Sequence, residues 1–392
     1  MINTDKNKIK ELLSRGVEEV IDKKDLEKKL KSGKQLRVKL GIDPTSPNIH
    51  IGRSIPLLKL KDFQELGHKI IFIIGDFTGV IGDTSDKESE RPMLDEKTIS
   101  KNVKNYTKQV AKIININDCD IYYNSTWLSK LNYLEISKQA NIFSLNEFIS
   151  RENINKRLKK GKRISLRELL YPLMQGYDSV KIKADVEVGG TDQRFNLLTG
   201  REVQKYYNLE PQNIITNPLI EGTDGRKMSS SFGNTINLLD NPNDMFGKIM
   251  SIKDELIIKY FILLTRLNLK VVEKYEKELT EGENPRNIKI KLAQKIVKMY
   301  HGKSKADNAE KYFINTFSKK QVPREITEFK PKNYNIISVL TESKIASSKS
   351  DARRLIAQGG VKINNQKIIK EDFIIKPNST LQKGKLKFLK II

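Results

Sequence analysis

The chain has 392 residues, 38% hydrophobic and 31% charged, enough for two or three domains and a sizeable core. Its 72 Lys+Arg outnumber 48 Asp+Glu for a net charge of +24, which favours an anionic partner, nucleic acid first, or reflects drift in a sequence rich in Lys, Ile and Asn. One cysteine (Cys119) and three histidines (His50, His68, His301) exclude an intrachain disulfide and argue against structural zinc, and no metal ligand set is expected; neither a signal peptide nor a membrane-spanning run is legible, so a cytoplasmic protein with no membrane contact is expected.

In chain order, residues 5–31 read as one amphipathic helix, with Ile9, Leu12, Leu13, Val17, Val20 and Ile21 on one face. Leu36, Val38, Leu40 and Ile42 then alternate with Arg37, Lys39 and Gly41, the period of a half-buried strand. Asp43–Asn48 breaks that strand with two prolines, and after His50-Ile51-Gly52 an apolar helical face begins: Ile55, Leu57, Leu58, Leu60, Phe63, Leu66. A helix N-terminus with free N–H groups suits a phosphate, which His50 can meet and Gly52 can let approach. Alone, His50 and Gly52 read first as packing residues. Lys69–Ile74 is an almost wholly apolar strand, and the loop Gly75–Lys87 at its carboxyl end places Asp76, Thr78 and Asp83 to line a pocket.

A charged helix follows over 100–114, then a short strand 120–123, then an irregular helical region to about 164. There Ile142, Phe143, Phe148 and Ile149 read either as an oligomer contact or as ordinary core. In Ser165–Asn196, Leu166, Leu169, Leu170, Leu173 and Met174 form an expected buried stripe, while Tyr171, Gln175 and Asp178 share another face. That polar face is a ligand site or a buried hydrogen-bond network. Val186–Val188 is a short strand ending in Gly189-Gly190-Thr191-Asp192-Gln193, again at the ligand-facing edge. Asn213–Leu219 is the next strand, followed by a Gly/Ser-rich loop, 221–234, that carries Lys227 and suits an anion.

Residues 240 to about 315 read as helical, 318–335 as a linker, and 336–392 as a small unit. From Lys349 onward this tail has eleven Lys/Arg against three Asp/Glu, a net of +8, concentrated enough to mark an RNA or DNA surface.

The stretches IDPTSPNIHIG and GRKMSSS resemble the two signatures of class I aminoacyl-tRNA synthetases, His-Ile-Gly-His and Lys-Met-Ser-Lys-Ser. With GDFTGVIGD, YPLMQGYDSV, VEVGGTDQRFN and SKSDARRLIAQGGVKIN, in that order over nearly the whole chain, the sequence is similar to bacterial-type tyrosyl-tRNA synthetases. The resemblance implies an α/β fold: a Rossmann-like parallel-sheet catalytic domain over 1–235 with a helical insertion at about 125–164, a helical anticodon-side domain over 236–317, the linker 318–335, and a small α+β RNA-binding domain over 336–392. It implies L-tyrosine, ATP with Mg²⁺, and a tRNA as partners, no permanent cofactor, and a homodimer.

By motif, the resemblance assigns His50, Lys227, Gln193 and Thr45 to the chemistry on the phosphates. Gly41, Asp43, Gly52, Arg53, Asp192, Met228, Ser229 and Ser230 join His50 and Lys227 around ATP. Lys39, Thr78, Asp83, Tyr171, Gln175, Asp178 and Gln193 surround tyrosine, with Asp178 accepting the phenolic O–H. Lys349, Arg353, Arg354 and Lys362 meet RNA. The sequence departs from the signatures at Arg53, usually a second histidine, and at Ser230, usually a second lysine; Lys39 stands where many relatives have a tyrosine. These departures keep a catalytically impaired RNA-binding paralogue as an alternative.

Overall fold

The apolar runs in the first third of the chain become neighbouring strands of one sheet, buried on both faces as their composition requires. In the computed structural model, which describes residues 2–85, 93–318, 327–364, 366–384 and 387–392, the strands are β1 (Glu19–Ile21), β2 (Arg37–Ile42), β3 (Lys69–Ile74), β4 (Cys119–Tyr123), β5 (Val186–Gly190) and β6 (Asn213–Asn217). Their order is β1-β6-β5-β2-β3-β4; β2 to β6 are parallel and β1 runs antiparallel to β6. The chain leaves β2 through β3 and β4 towards one edge, then returns to the other side of β2 for β5 and β6. The carboxyl ends of β2 and β5 flank this reversal, where open α/β sheets bind ligands.

Helices α1 (Lys6–Leu12), α2 (Lys23–Lys31), α3 (Ser54–Glu65), α4 (Asp76–Ile81) and α5 (Glu96–Val110) accompany the first strands. The region between β4 and β5 forms α6 (Ser125–Leu128), α7 (Tyr133–Ala140), α8 (Leu145–Ile149), α9 (Glu152–Lys159) and α10 (Leu166–Ile182), and α11 (Arg194–Tyr206) joins β5 to β6. Beyond the sheet come α12 (Pro242–Met250), α13 (Ile257–Leu264), α14 (Leu269–Thr280), α15 (Pro285–His301) and α16 (Lys303–Phe313). Met245, Phe246, Ile257, Leu292 and Ile296 from these helices share one apolar cluster with Val38, Leu40, Phe63 and Phe72. None of the helices among the described residues is long and apolar enough to cross a membrane.

The tail has a core of its own, built on Val339, Leu340, Ile356, Val361 and Leu381. It contains β7 (Thr327–Phe329), α17 (Ile336–Glu342), α18 (Lys349–Ala357), β8 (Val361–Ile363), β9 (Gln366–Lys367), β10 (Thr380–Lys383) and β11 (Lys387–Ile391), with sheet order β7-β11-β10-β8-β9. Strand β7 lies inside the stretch read as a linker, pairing parallel to β11; residues 319–326 of that stretch lie outside the described residues.

Several local expectations are corrected. Residues 5–31 are not one helix. The buried Lys59 ammonium donates to the carbonyls of Leu12 (2.6 Å) and Arg15 (2.8 Å), occupying the end of α1, and Gly16 turns the chain at φ +59° so that Glu19–Ile21 can pair with β6. Gly75–Lys87 is not all loop: Asp76–Ile81 is helical, with Asp76 in the first turn, where a carboxylate favours the dipole. The expected leucine stripe of α10 is buried only in part. Leu173 is 4% exposed and Leu166 78%, while Glu168, Tyr171, Asp178 and Ser179 are buried as well. That orientation follows from the crossing with α11, where a side chain at Gly176 would come within 2.9 Å of Val203. Phe148 is core, stacked edge-on against Phe143 and Phe195.

Candidate active site

At the carboxyl ends of β2, β3 and β5 lies a cavity of about 530 Å³. Its β2 side begins at Gly41 and Asp43, continues through Thr45, and reaches His50, Gly52 and Arg53 at the entry to α3. Asp43 is the hub. Its carboxylate accepts from Thr78 Oγ1 (2.7 Å) and from the Tyr171 hydroxyl (2.9 Å). Gly75 must be glycine for this, because a Cβ there would sit 2.1 Å from the Asp43 carboxylate. Desolvation raises the Asp43 carboxyl to about 6, against the lowering effect of its two hydrogen bonds, and the nearby Asp83 charge adds to the rise. Burial, reinforced by the Asp43 charge, pushes the Tyr171 phenol well above its usual value.

The α10 face closes one end. Tyr171, Gln175 and Asp178 all line the cavity. Asp178 is 4% exposed and accepts from the Trp127 indole (2.7 Å) and from Asn124 Nδ2 (3.3 Å). Burial lifts its carboxyl to about 7; Lys39 and the two hydrogen bonds pull downwards. Asn124 also donates to Thr78 Oγ1 at 2.9 Å, linking Asp178 to Asp43 through one amide and one hydroxyl.

Lys39 corrects an expectation. It does not line the cavity. Its ammonium is fully buried behind the α10 face and donates to the Gln175 carbonyl (2.9 Å) and Ser179 Oγ (2.8 Å), paired with Glu187 at 2.9 Å. β2 alternates, so Lys39 points opposite to Val38 and Leu40, and the charge is tolerable there because a buried carboxylate and two acceptors meet it. Gln175 Nε2 also donates to Glu187 (3.0 Å).

The third wall comes from β5 and the 221–234 loop. Gln193 Nε2 donates to Asp83 at 2.7 Å, so both line the cavity already oriented. Lys227 Nζ meets Asp192 at 3.0 Å, so two of the residues expected around ATP already touch. Met228, Ser229 and Ser230 line the same wall. The loop is organised by Asn234, 3% exposed, whose amide donates to Asp224 (2.7 Å) and to the Lys227 carbonyl (3.0 Å) and whose oxygen accepts from Ser229 N–H (2.9 Å).

Sequence reading missed Asn124, Trp127, Glu187 and Asn234. Trp127 carried a signal, as the sole tryptophan just past the carboxyl end of β4. Asn124 and Asn234 had none, because an asparagine in a turn is ordinary turn chemistry. Among the described residues no group of three or more His, Cys, Asp or Glu is placed to hold a metal. In the tail, Lys349 and Lys362 are exposed, Arg353 pairs with Glu371 (3.1 Å) and Arg354 with Asp351 (2.7 Å).

Residues 30–318 match the model of the class I tRNA synthetases (W and Y), and residues 314–389 match that of the C-terminal domain of SYY-like tyrosine--tRNA ligases. The chain is 47% identical over 389 residues to tyrosine--tRNA ligase 2 of Clostridium acetobutylicum, covering 97% of each. It is 43% identical over 385 residues to the tyrosine--tRNA ligase of Thermotoga maritima, covering 97% of this chain and 96% of the relative. The tyrosyl-tRNA synthetase of Archaeoglobus fulgidus, solved with L-tyrosine, shares the fold with a TM-score of 0.62 at 23% identity, over 78% of this chain and 99% of that one.

Proposed function

The chain belongs to the class I tRNA synthetases of the tryptophan and tyrosine type, and from that premise we propose that it activates L-tyrosine with ATP and transfers the tyrosyl group to the 3′-terminal adenosine of its tRNA. The observation that carries this reading is one cavity holding both ends of the reaction: the Tyr171/Gln175/Asp178 face on one side, and His50, the α3 entry and Lys227 on the other.

Activation is an in-line attack of the tyrosine carboxylate on the α-phosphorus, with pyrophosphate leaving. No protein nucleophile or base is needed, so the chain's part is positioning and charge stabilisation. Asp178 accepts the phenolic O–H. Phenylalanine would leave that acceptor unmet in a buried site, which is costly. Thr78, Tyr171, Gln175 and the Asp83–Gln193 pair surround the ammonium and carboxylate. Gly41 and Asp43 flank the adenylate, Asp192 takes the ribose hydroxyls, and His50, Thr45 and Lys227, with Ser229, Ser230 and Met228 beside them, meet the phosphates. Lys227 must leave Asp192 as ribose arrives, which frees its charge for the leaving group. Mg²⁺ would travel on the ATP phosphates, with carboxylates such as Asp43 and Asp83 within the cavity.

Lys349, Arg353, Arg354 and Lys362 form the RNA-facing set of the tail. A homodimer is supported by exposed apolar side chains on the helices between β4 and β5: Tyr133 (91% exposed), Leu134, Leu145 and Leu166. The impaired-paralogue alternative is not favoured, since the amino-acid face and the Lys227 loop are both assembled.

The test is tyrosine-dependent exchange of labelled pyrophosphate into ATP, with phenylalanine and tryptophan as controls. Exchange with tyrosine alone supports the reading. A folded chain that binds RNA and exchanges with none of the three would return the paralogue.

A further inference from the structure

Arg53 and Ser230 depart from the two signatures in opposite senses. A cation is gained at the entry to α3, and one is lost from the 221–234 loop. Both residues line the same cavity. Arg53 Nη1 donates to the Tyr106 hydroxyl at 3.2 Å and reaches the Asp43 carbonyl at 3.5 Å; Nε and Nη2 have no protein partner among the described residues. Tyr106 is itself fully buried on α5. Its hydroxyl is therefore a fixed acceptor that holds one nitrogen of the guanidinium and leaves the remaining edge for a ligand. A planar two-nitrogen edge matches a phosphate better than an ammonium does.

We propose that Arg53 is the second cation for the departing phosphates of ATP, steadied by Tyr106, and that it supplies the charge Ser230 leaves out of the loop. The proposal rests on the synthetase reading above. In the step, a tyrosine carboxylate oxygen bonds to the α-phosphorus, the bond from the α-phosphorus to the bridging oxygen breaks, and the electron pair leaves on pyrophosphate. No proton moves and no bond to the protein forms. Negative charge grows on the pyrophosphate oxygens, which Arg53 meets from the rigid helix entry and Lys227 from the loop. A guanidinium anchored on a helix does not have to swing in with the loop, so it contributes to ATP binding as well as to the rate.

The experiment compares wild type with Arg53→His, Ser230→Lys, the double variant and Tyr106→Phe, each checked for an unchanged melting profile. The readouts are exchange, and single-turnover activation at varied ATP, tyrosine and pyrophosphate. Arg53→His is expected to weaken ATP and pyrophosphate by about tenfold or more, with the tyrosine constant unmoved, as loss of a charge-assisted contact requires. Tyr106→Phe should shift the same two constants by a smaller factor. Ser230→Lys should restore the Arg53→His protein to within about threefold of wild type, because the two cations serve one group. A double variant no better than Arg53→His, or a loss that falls on tyrosine instead, would overturn the proposal. Absence of exchange in the wild type would overturn the synthetase reading on which it rests, and is told apart by that.

Discussion

A carboxylate buried against an indole and an amide has a narrow purpose. Asp178 has two donors, Trp127 and Asn124, and together they hold its oxygens towards the cavity end where a phenol would fit. Asp178→Asn keeps the shape but puts an N–H group among donors. The expected loss in kcat/KM for tyrosine is roughly 10- to 100-fold, the worth of a hydrogen bond to a charged group, with little change in the ATP constant; steady-state exchange measures both. The same residue makes a pH prediction. Burial raises Asp178 to about 7 and Asp43 to about 6 from the ordinary 3.8. The folded chain therefore holds more protons than the unfolded chain between those values, so stability falls as pH rises from about 4 to about 7. Melting temperature should decline over that window in the wild type and decline less in Asp178→Asn. Tyrosine activation should rise through about pH 7 as the acceptor ionises. An activity flat from pH 5.5 to 8 would mean that Asp178 is ionised throughout and that burial costs it less than the surroundings suggest.

Between residue and fold, the element that matters most is the 221–234 segment. Its backbone bonds are those of turns and one bridge, such as Gly222 N–H to the Arg226 carbonyl, and Asn234 adds bonds to Asp224, the Lys227 carbonyl and Ser229 N–H. Asn234→Ala should leave the fold intact and lower the activation rate about tenfold through Lys227, since a buried polar contact of this kind is worth about 1–2 kcal/mol. The tyrosine constant should not move, because Asp178 and Tyr171 sit on α10. A matching loss in tyrosine affinity would show that the loop and the amino-acid pocket are one unit. How much could be read beforehand differs by element for the same reason. Strand β2 and helix α3 are legible because a single periodicity dominates each, and β3 because it is an almost unbroken apolar run. Helix α10 is legible as a helix, but apolarity alone does not give its buried face: Leu173 is buried and Leu166 exposed, and the polar side is turned inward by the close Gly176 crossing and by the Arg157–Glu168 pair. Motif position does not give the depth of a side chain: Lys39 lies on the α10 side of β2, but Glu187, Ser179 and the Gln175 carbonyl hold its ammonium behind that face. The break at Gly16 was invisible because the cap that ends α1 comes from Lys59, more than forty residues away.

On the scale of the whole molecule, the tail has a core apart from the rest of the chain. One cluster spans the sheet and the helices through α16, a second joins Ile71 and Ile73 of β3 to Trp127, Leu128 and Ile182, and the third lies wholly within the tail. A core that does not depend on the tail argues that tyrosine activation, which needs only the sheet's crevice, survives without it. RNA binding draws instead on long-range charge, and the tail from Lys349 carries +8 of it in a short span. The cut must respect β7. Ending the chain at residue 335 would leave Thr327–Phe329 as an orphaned edge strand, since its partner is β11, and exposed edges invite aggregation. Ending it at Ser318 removes the tail with all of its sheet. The shortened protein should exchange pyrophosphate at a rate within about threefold of the full chain, as independent units allow, while tRNA charging falls by about tenfold or more and the salt dependence of tRNA binding becomes shallower with the loss of phosphate contacts. Equal loss of exchange and charging would mean that the tail acts on the crevice itself. Equal retention would place the RNA-binding charge on the sheet-bearing part of the chain, where Lys156, Lys160 and Arg194 rim a second cavity beside Asp192.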